Sequence, residues 1–225
     1  MGFQETFNAR VMPAADRAFG ITASLTHGQD TIDLTLLREQ LTQANRYGLE
    51  QYVHAETAVF VAKASELVLD AATFLPAGND VIQFSNAENV PQNWGVFPLV
   101  DNRCYRPFDN TETRLRIYAV RAESFRSMVY HGPTANDVPY PNTLVGIMSQ
   151  RQEDGQAFGS VGGLQVAERV RMRVVANPGE IVESGTCTVL GGEWAIEEIP
   201  LAVEGLIELQ LRRQPIKRHH EARRR

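Results

Sequence analysis

Repeated landmarks constrain this chain more than any single motif, because a chain that contains one unit twice must fold as two like bodies. "SLTHGQDTIDLTLL" (24–37) is answered by "MVYHGPTANDVPYPNTLV" (128–145), each with a short apolar strand running into His-Gly, at His27-Gly28 and His131-Gly132. "AETAVFVAKASELV" (55–68) is answered by "AERVRMRVVANPGEIV" (167–182), each opening Ala-Glu and closing Glu-Leu-Val or Glu-Ile-Val. "NWGVFPL" (93–99) is answered by "EWAIEEIPL" (193–201), and "TRLRIYAVRAE" (113–123) by "GLIELQLRR" (205–213). From His to Trp is 67 residues in the first copy and 63 in the second. The order and spacing point to a tandem duplication; the competing reading is one larger β-domain whose strands look alike.

Each copy reads as short strands of period two separated by Gly- or Pro-rich turns such as "LPAGND", "ANPGE" and "LGGE". In "RVRMRVV", Val170, Met172 and Val174 oppose Arg169, Arg171 and Arg173, so the strand is half-buried with its arginines outward. "RLRIYAV" is read the same way, with Leu115, Ile117 and Ala119 inward and Arg114, Arg116 and Tyr118 outward. In "LIELQL", Ile207, Leu209 and Leu211 share one face. The expectation is a mainly β chain of two tandem small antiparallel barrels or sandwiches. It has a short N-terminal helix over 1–20, a first β-domain over 21–124, a second over 125–213 and a basic tail over 214–225. The helix is read from Phe3, Phe7 and Val11 spaced four apart, a kink or break at Pro13 and a stop at Gly20. Residues 35–48 could be a second helix or a strand leading into a loop; the counterpart "NTLVGIMSQRQEDG" favours the strand.

Charge is distributed unevenly. The chain's net charge is -5, yet the last fourteen residues, "RRQPIKRHHEARRR", hold seven of the 22 Lys and Arg against a single acid, Glu221. The remainder is therefore strongly acidic, and the tail, with Arg212, Arg213, Lys217, Arg218 and Arg223, suits an anionic partner: nucleic acid or the acidic face of a neighbouring subunit. No run of about eighteen apolar residues and no signal-like leader occurs, so neither a membrane span nor secretion is read. Cys104 and Cys187 lie far apart with no Cys-x-x-Cys pair, which reads as two buried thiols.

Catalytic patterns are sparse. "FGSVGG" has Phe158 where a nucleophile elbow needs Gly, no Gly-Lys-Ser/Thr is present, and Lys63 and Lys217 are the only lysines. His27 and His131 have no second histidine at ligand spacing and read as turn or interface residues at equivalent positions. His219-His220 reads as part of the charge cluster, and Glu197 and Glu198 as a solvated acidic face. No catalytic, metal or cofactor site is expected. Basic patches interleaved with aromatics, the usual mark of nucleic-acid readers, are missing from the folded part of the sequence.

A helix ending "AFG", an apolar strand just after it, the "LPAGNDVI" segment, and then a hairpin carrying an aromatic residue resemble the head-closure or head-tail joining proteins of tailed bacteriophages. The C-terminal "NPGEIVESGTCTVLGGEWAIEEIPLAVEGLIELQLRR" is similar to that family's ending. The resemblance covers both halves and fits a duplicated version at about twice the length of a single-barrel member. It implies a structural virion protein made in the host cytoplasm. Copies would form a sixfold or twelvefold homo-oligomeric ring between portal or adaptor protein and tail proteins, with packaged DNA passing nearby without sequence-specific binding. Candidate contacts are Phe3 and Phe7 on the helix, Trp94, Tyr105 and Phe108 in the loops around the first tryptophan, Phe158 in the glycine-rich loop 155–163, and the tail residues named above. Rival readings are a tail-tube, terminator or baseplate protein, and a double-barrel binding module that uses Trp94, Tyr105 and Phe108 as its platform.

Overall fold

The computed structural model describes residues 7–39, 55–99, 102–108, 112–133, 142–154 and 167–213. The chain divides into two compact units, Met1–Phe125 and Arg126–Arg225.

In the first unit a π-helical turn, Phe7–Val11, leads into helix α1 (Met12–Phe19). Pro13 lies in the first turn of α1, where a missing N–H leaves nothing unsatisfied, just after the change from π to α at Val11–Met12. Of the helix expected over 1–20, residues 7–19 are helical, as the π-helical turn and α1; residues 1–6, with Phe3, lie outside the described residues. Gly20 ends the helix with extended backbone, its N–H donating to the Asp16 carbonyl. The strands are β1 (Ile21–His27), β2 (Asp30–Arg38), β3 (Thr57–Lys63), the two-residue pair β4 (Val68–Leu69) and β5 (Ala72–Thr73), β6 (Val81–Ser85), β7 (Pro91–Val96), β8 (Tyr105–Pro107) and β9 (Arg114–Arg121). Residues 35–38 form the end of β2, as the counterpart favours; residues 40–54 lie outside the described residues.

Six of these strands close a barrel by antiparallel pairing in the order β1-β2-β3-β9-β7-β6 and back to β1, with β8 added along β9. Leu25, Leu36, Phe60, Ile82, Trp94 and Ile117 fill the interior and are fully enclosed. Burying each such side chain contributes roughly 1.5–3 kcal/mol. Phe60 stands edge-on to Trp94 at 5.5 Å and to Phe84 at 5.8 Å.

The second unit comprises β10 (Arg126–Tyr130), β11 (Asn142–Asp154), β12 (Ala167–Val174), β13 (Thr186–Val189), β14 (Gly192–Val203) and β15 (Leu206–Arg213), closed as β10-β11-β12-β15-β14-β13. This is the circuit of the first barrel with β1, β2, β3, β9, β7 and β6 replaced in turn. The register matches as well. Trp94 faces Ile82 and Arg121 across the ladder; Trp194 faces Cys187 and Arg213. Leu25 opposite Ile82 becomes Tyr130 opposite Cys187, Phe60 opposite Ile117 becomes Met172 opposite Leu209, and Leu36 opposite Ala62 becomes Gly146 opposite Val174. Traced strand by strand around the barrel, the correspondence returns to its starting residue, so both barrels have the same strand number and the same stagger.

Three sequence expectations change in this frame. His27 and His131 are not equivalent: the ladder aligns His131, whose N–H donates to the Thr186 carbonyl, with Thr26. One residue of slip puts the two imidazoles on opposite faces of their strands. Arg114 and Tyr118, expected outward and solvated, do point away from the barrel interior but are buried, at 5% and 0% exposure. Trp94, expected among decorated loops on a contact surface, is a core residue at 0% exposure.

The decoration itself is present in a different place. β14 runs unbroken from Gly192 to Val203, with ladder irregularities between Ile196 and Glu198 and between Glu198 and Leu201. In the first barrel the corresponding strand is split into β7 and β8, which residues 97–104 separate in sequence at the matching point.

Candidate functional site

Of the sequence-selected contact residues, few share a surface. Phe7 is half-buried in the π-helical turn. Tyr105 packs against the first core, and Phe108 is half-buried beneath the Arg116 guanidinium at 4.5 Å. With Trp94 enclosed, the three aromatics do not form a common platform. Arg212 and Arg213 are exposed at the end of β15. Phe158, Lys217, Arg218 and Arg223 lie outside the described residues.

Sequence reasoning missed two clusters of ionisable groups. The first docks α1. Arg114 donates to both Asp16 carboxylate oxygens at 2.9 and 2.6 Å, and Lys63 Nζ lies 3.3 Å from Asp16 and 2.8 Å from Glu66. Glu66 accepts the Thr35 N–H at 2.7 Å. Burial pushes the Asp16 carboxyl up, but the Arg114 and Lys63 charges outweigh it and hold it below its ordinary value. Glu66 is the main cause that raises Lys63. Arg114 follows the alternation of its strand, so spacing carries no signal of this cluster; a buried guanidinium demands a carboxylate partner, and here that partner lies on α1.

The second cluster sits where β1 ends. His27 Nδ1 lies 2.8 Å from Asp80 Oδ1, Asp80 Oδ2 accepts the Ala77 N–H at 2.9 Å, and the imidazole packs on Phe74 at 5.0 Å. Asp80 is 3% exposed, and burial raises its carboxyl above the ordinary value against the pull of these hydrogen bonds. Its carbonyl accepts the Val96 N–H, as the Gly185 carbonyl accepts that of Ile196 in the second barrel. There, Tyr130 OH accepts the Val182 N–H at 3.3 Å and donates to the Pro133 carbonyl, so a neutral phenol stands where the first barrel has a hydrogen-bonded imidazole and carboxyl group.

Cys187 is buried and Cys104 half-buried, not buried as expected; burial, helped by Asp80, lifts Cys104 to about 12, and burial alone lifts Cys187 to about 12, which keeps both as neutral thiols. Among the described residues no group of three or more His, Cys, Asp or Glu is arranged to hold a metal ion. A pocket of about 260 Å³ is lined by His131, Thr186, Cys187, Glu193 and Trp194. His131 Nε2 lies 2.7 Å from Thr188 Oγ1.

The outer face of β12 and β15 is strongly polar. Arg169, Arg171, Arg173 and Arg212 all point outward there, paired across the ladder as Arg169–Arg212, Arg171–Gln210 and Arg173–Glu208. Glu197 takes Arg169 through two hydrogen bonds at 2.8 and 3.1 Å, which depress its carboxyl, and Glu208 takes Arg173 at 2.6 Å. Arg171 and Arg212 are exposed and have no carboxylate within ion-pair distance among the described residues.

No protein-family model, curated protein or solved structure matches the chain.

Proposed function

We propose that the chain is a structural assembly protein: a ring-forming subunit of the head-tail connector of a tailed phage, bridging portal or adaptor protein and tail proteins. The observation that carries this reading is the pair of barrels built on one circuit and one stagger, each filled by its own side chains. A filled barrel is a rigid spacer whose working parts are its outer surface and its loops. The "LPAGNDVI" segment supports the resemblance to head-closure proteins. Its Asp80 anchors the turn into β6, and β6–β7 is the hairpin that carries Trp94. The acidic remainder of the chain suits a subunit beside DNA that must pass without sticking, and the basic tail suits an anionic neighbour. A tail-tube, terminator or baseplate role uses the same architecture. Native mass spectrometry with negative-stain electron microscopy tests the reading. A closed sixfold or twelvefold ring is the expected result, and a monomer at every concentration and salt would overturn it.

A further inference from the structure

Equivalent positions on the two barrels carry opposite chemistry. The outward residues Val59, Val61, Tyr118 and Val120 of the first barrel correspond through the ladders to Arg171, Arg173, Gln210 and Arg212 of the second. In the first barrel this face is closed: Val59, Tyr118 and Val120 are 0% exposed, and Phe97 and Phe125 pack on that side. In the second it is open and holds four guanidinium groups, of which Arg169 and Arg173 are taken in cis by Glu197 and Glu208. Arg171 and Arg212 remain outside these two pairs, diagonal to each other across Arg169–Arg212 and Arg171–Gln210; exposed Glu198 stands opposite Gln210, and Glu197, already taken by Arg169, feels the Arg212 charge as well.

We infer that the outer face of β12 and β15 is a subunit contact surface on which Arg171 and Arg212 receive carboxylates of a second copy of this chain, an inference that rests on the ring reading above. The cis pairs show what these guanidinium groups take when a carboxylate is in reach: contacts at 2.6–3.1 Å, two-point in the case of Arg169. The complementary charge is supplied by the chain itself, which is net acidic outside its last fourteen residues, so the partner is always present at the protein's own concentration. A surface that is arginine on one side of a copy and carboxylate elsewhere makes a heterologous contact, the kind that closes rings. Duplex DNA fits less well, because the acidic remainder of every copy repels phosphate at low salt, where phosphate contacts are strongest.

The test compares the full-length wild type with Arg171→Glu/Arg212→Glu and with the milder Arg171→Gln/Arg212→Gln, by native mass spectrometry and sedimentation velocity at about 0.05 and 0.5 M salt. Circular dichroism and thermal unfolding check that each variant folds. The expected result is a wild-type ring that weakens at high salt, a loss of assembly of at least tenfold in both variants, and retention in Arg171→Lys/Arg212→Lys. A wild-type ring with unchanged assembly of the Gln variant would overturn this inference and leave the ring reading standing. A monomeric wild type under all conditions would overturn both. Binding of a fluorescent 30-base-pair duplex that the Gln variant loses, with assembly unchanged, would overturn it in favour of phosphate.

Discussion

Val59 and Arg171 occupy the same rung of two barrels, yet one is sealed and the other meets water. Both point away from the barrel interior, so neither is dictated by closing the sheet. What differs is whether anything packs on the outside. In the first unit β3 is buried on both faces, and it reads as an almost continuous apolar run, Ala58 to Ala62. In the second, β12 alternates as a half-buried strand should. The interior defines the fold and tolerates Leu25 or Tyr130, Phe60 or Met172, Ile82 or Cys187. The exterior is where the copies have separated.

The largest test of this contrast exchanges its chemistry. Val59→Arg should cost about 4 kcal/mol, because a guanidinium would be enclosed without a partner. The reciprocal Arg171→Val should change stability by less than about 1 kcal/mol. The two tryptophans allow each barrel to be monitored on its own by urea unfolding: Trp194→Phe leaves only Trp94 reporting on the first, and Trp94→Phe only Trp194 on the second. Comparable costs for Val59→Arg and Arg171→Val would break the contrast.

Next in size is the clamp on α1, which has no counterpart described in the second unit. Arg114→Ala should destabilise the first barrel by about 3 kcal/mol by stranding buried Asp16, with Lys63 left as its remaining cation. Because Asp16 is held below its ordinary value, its contribution is present above the usual carboxylate range and lost as pH falls through the lowered pKa. Asp16→Asn should therefore differ from wild type at neutral pH and converge with it in acid. Thermal unfolding of the first unit between about pH 3 and 7 shows whether it does.

The tryptophans themselves differ by one hydrogen bond. Trp194 Nε1 donates to the Val189 carbonyl at 3.1 Å, whereas Trp94 Nε1 is buried without a partner among the described residues. Trp194→Phe should therefore cost about 1 kcal/mol more than Trp94→Phe, read from urea midpoints. Equal costs would show that the bond contributes nothing net.

The smallest effect concerns the corner held by His27 and Asp80 in one barrel and by Tyr130 in the other. Asp80 sits above its ordinary value, so its contribution has the opposite sign to that of Asp16. Stability from this group is fully present below the ordinary carboxylate pKa and lost as pH rises through the raised one. Asp80→Asn should flatten the first unit's stability between about pH 4 and 7 by roughly 1 kcal/mol or less and leave the second unit's profile unchanged.

Sequence patterns resolve the inside of this protein better than its outside. Thr57 and Arg169, each just after Ala-Glu, the two tryptophans, and Arg121 with Arg213 fall at matching rungs because the barrels share one stagger. The His-Gly pairs mislead by one residue, since a turn dipeptide records where a strand ends and not which face its last side chain takes. Arg114 and Tyr118 mislead for a common reason: period two separates the faces of a strand but cannot say whether a second layer lies against the outer one; Trp94 misleads because the long segments on either side of it hide that it is an inward rung of β7. Arg114 is recoverable only through Asp16, 98 residues away, and no spacing rule connects them. Arg171 is outward, as its alternation predicts, but its interest comes from the contrast with Val59.

Residues 97–104 interrupt one copy of a strand that the other copy carries through with two irregular rungs. The same fold thus tolerates both a continuous strand and a strand split in two at that locus, without losing closure or stagger. For the experimenter, the stretch around Glu198 is a natural acceptor port: an epitope or fluorophore-binding peptide grafted there would mark the second barrel at a point where the first already carries a passenger.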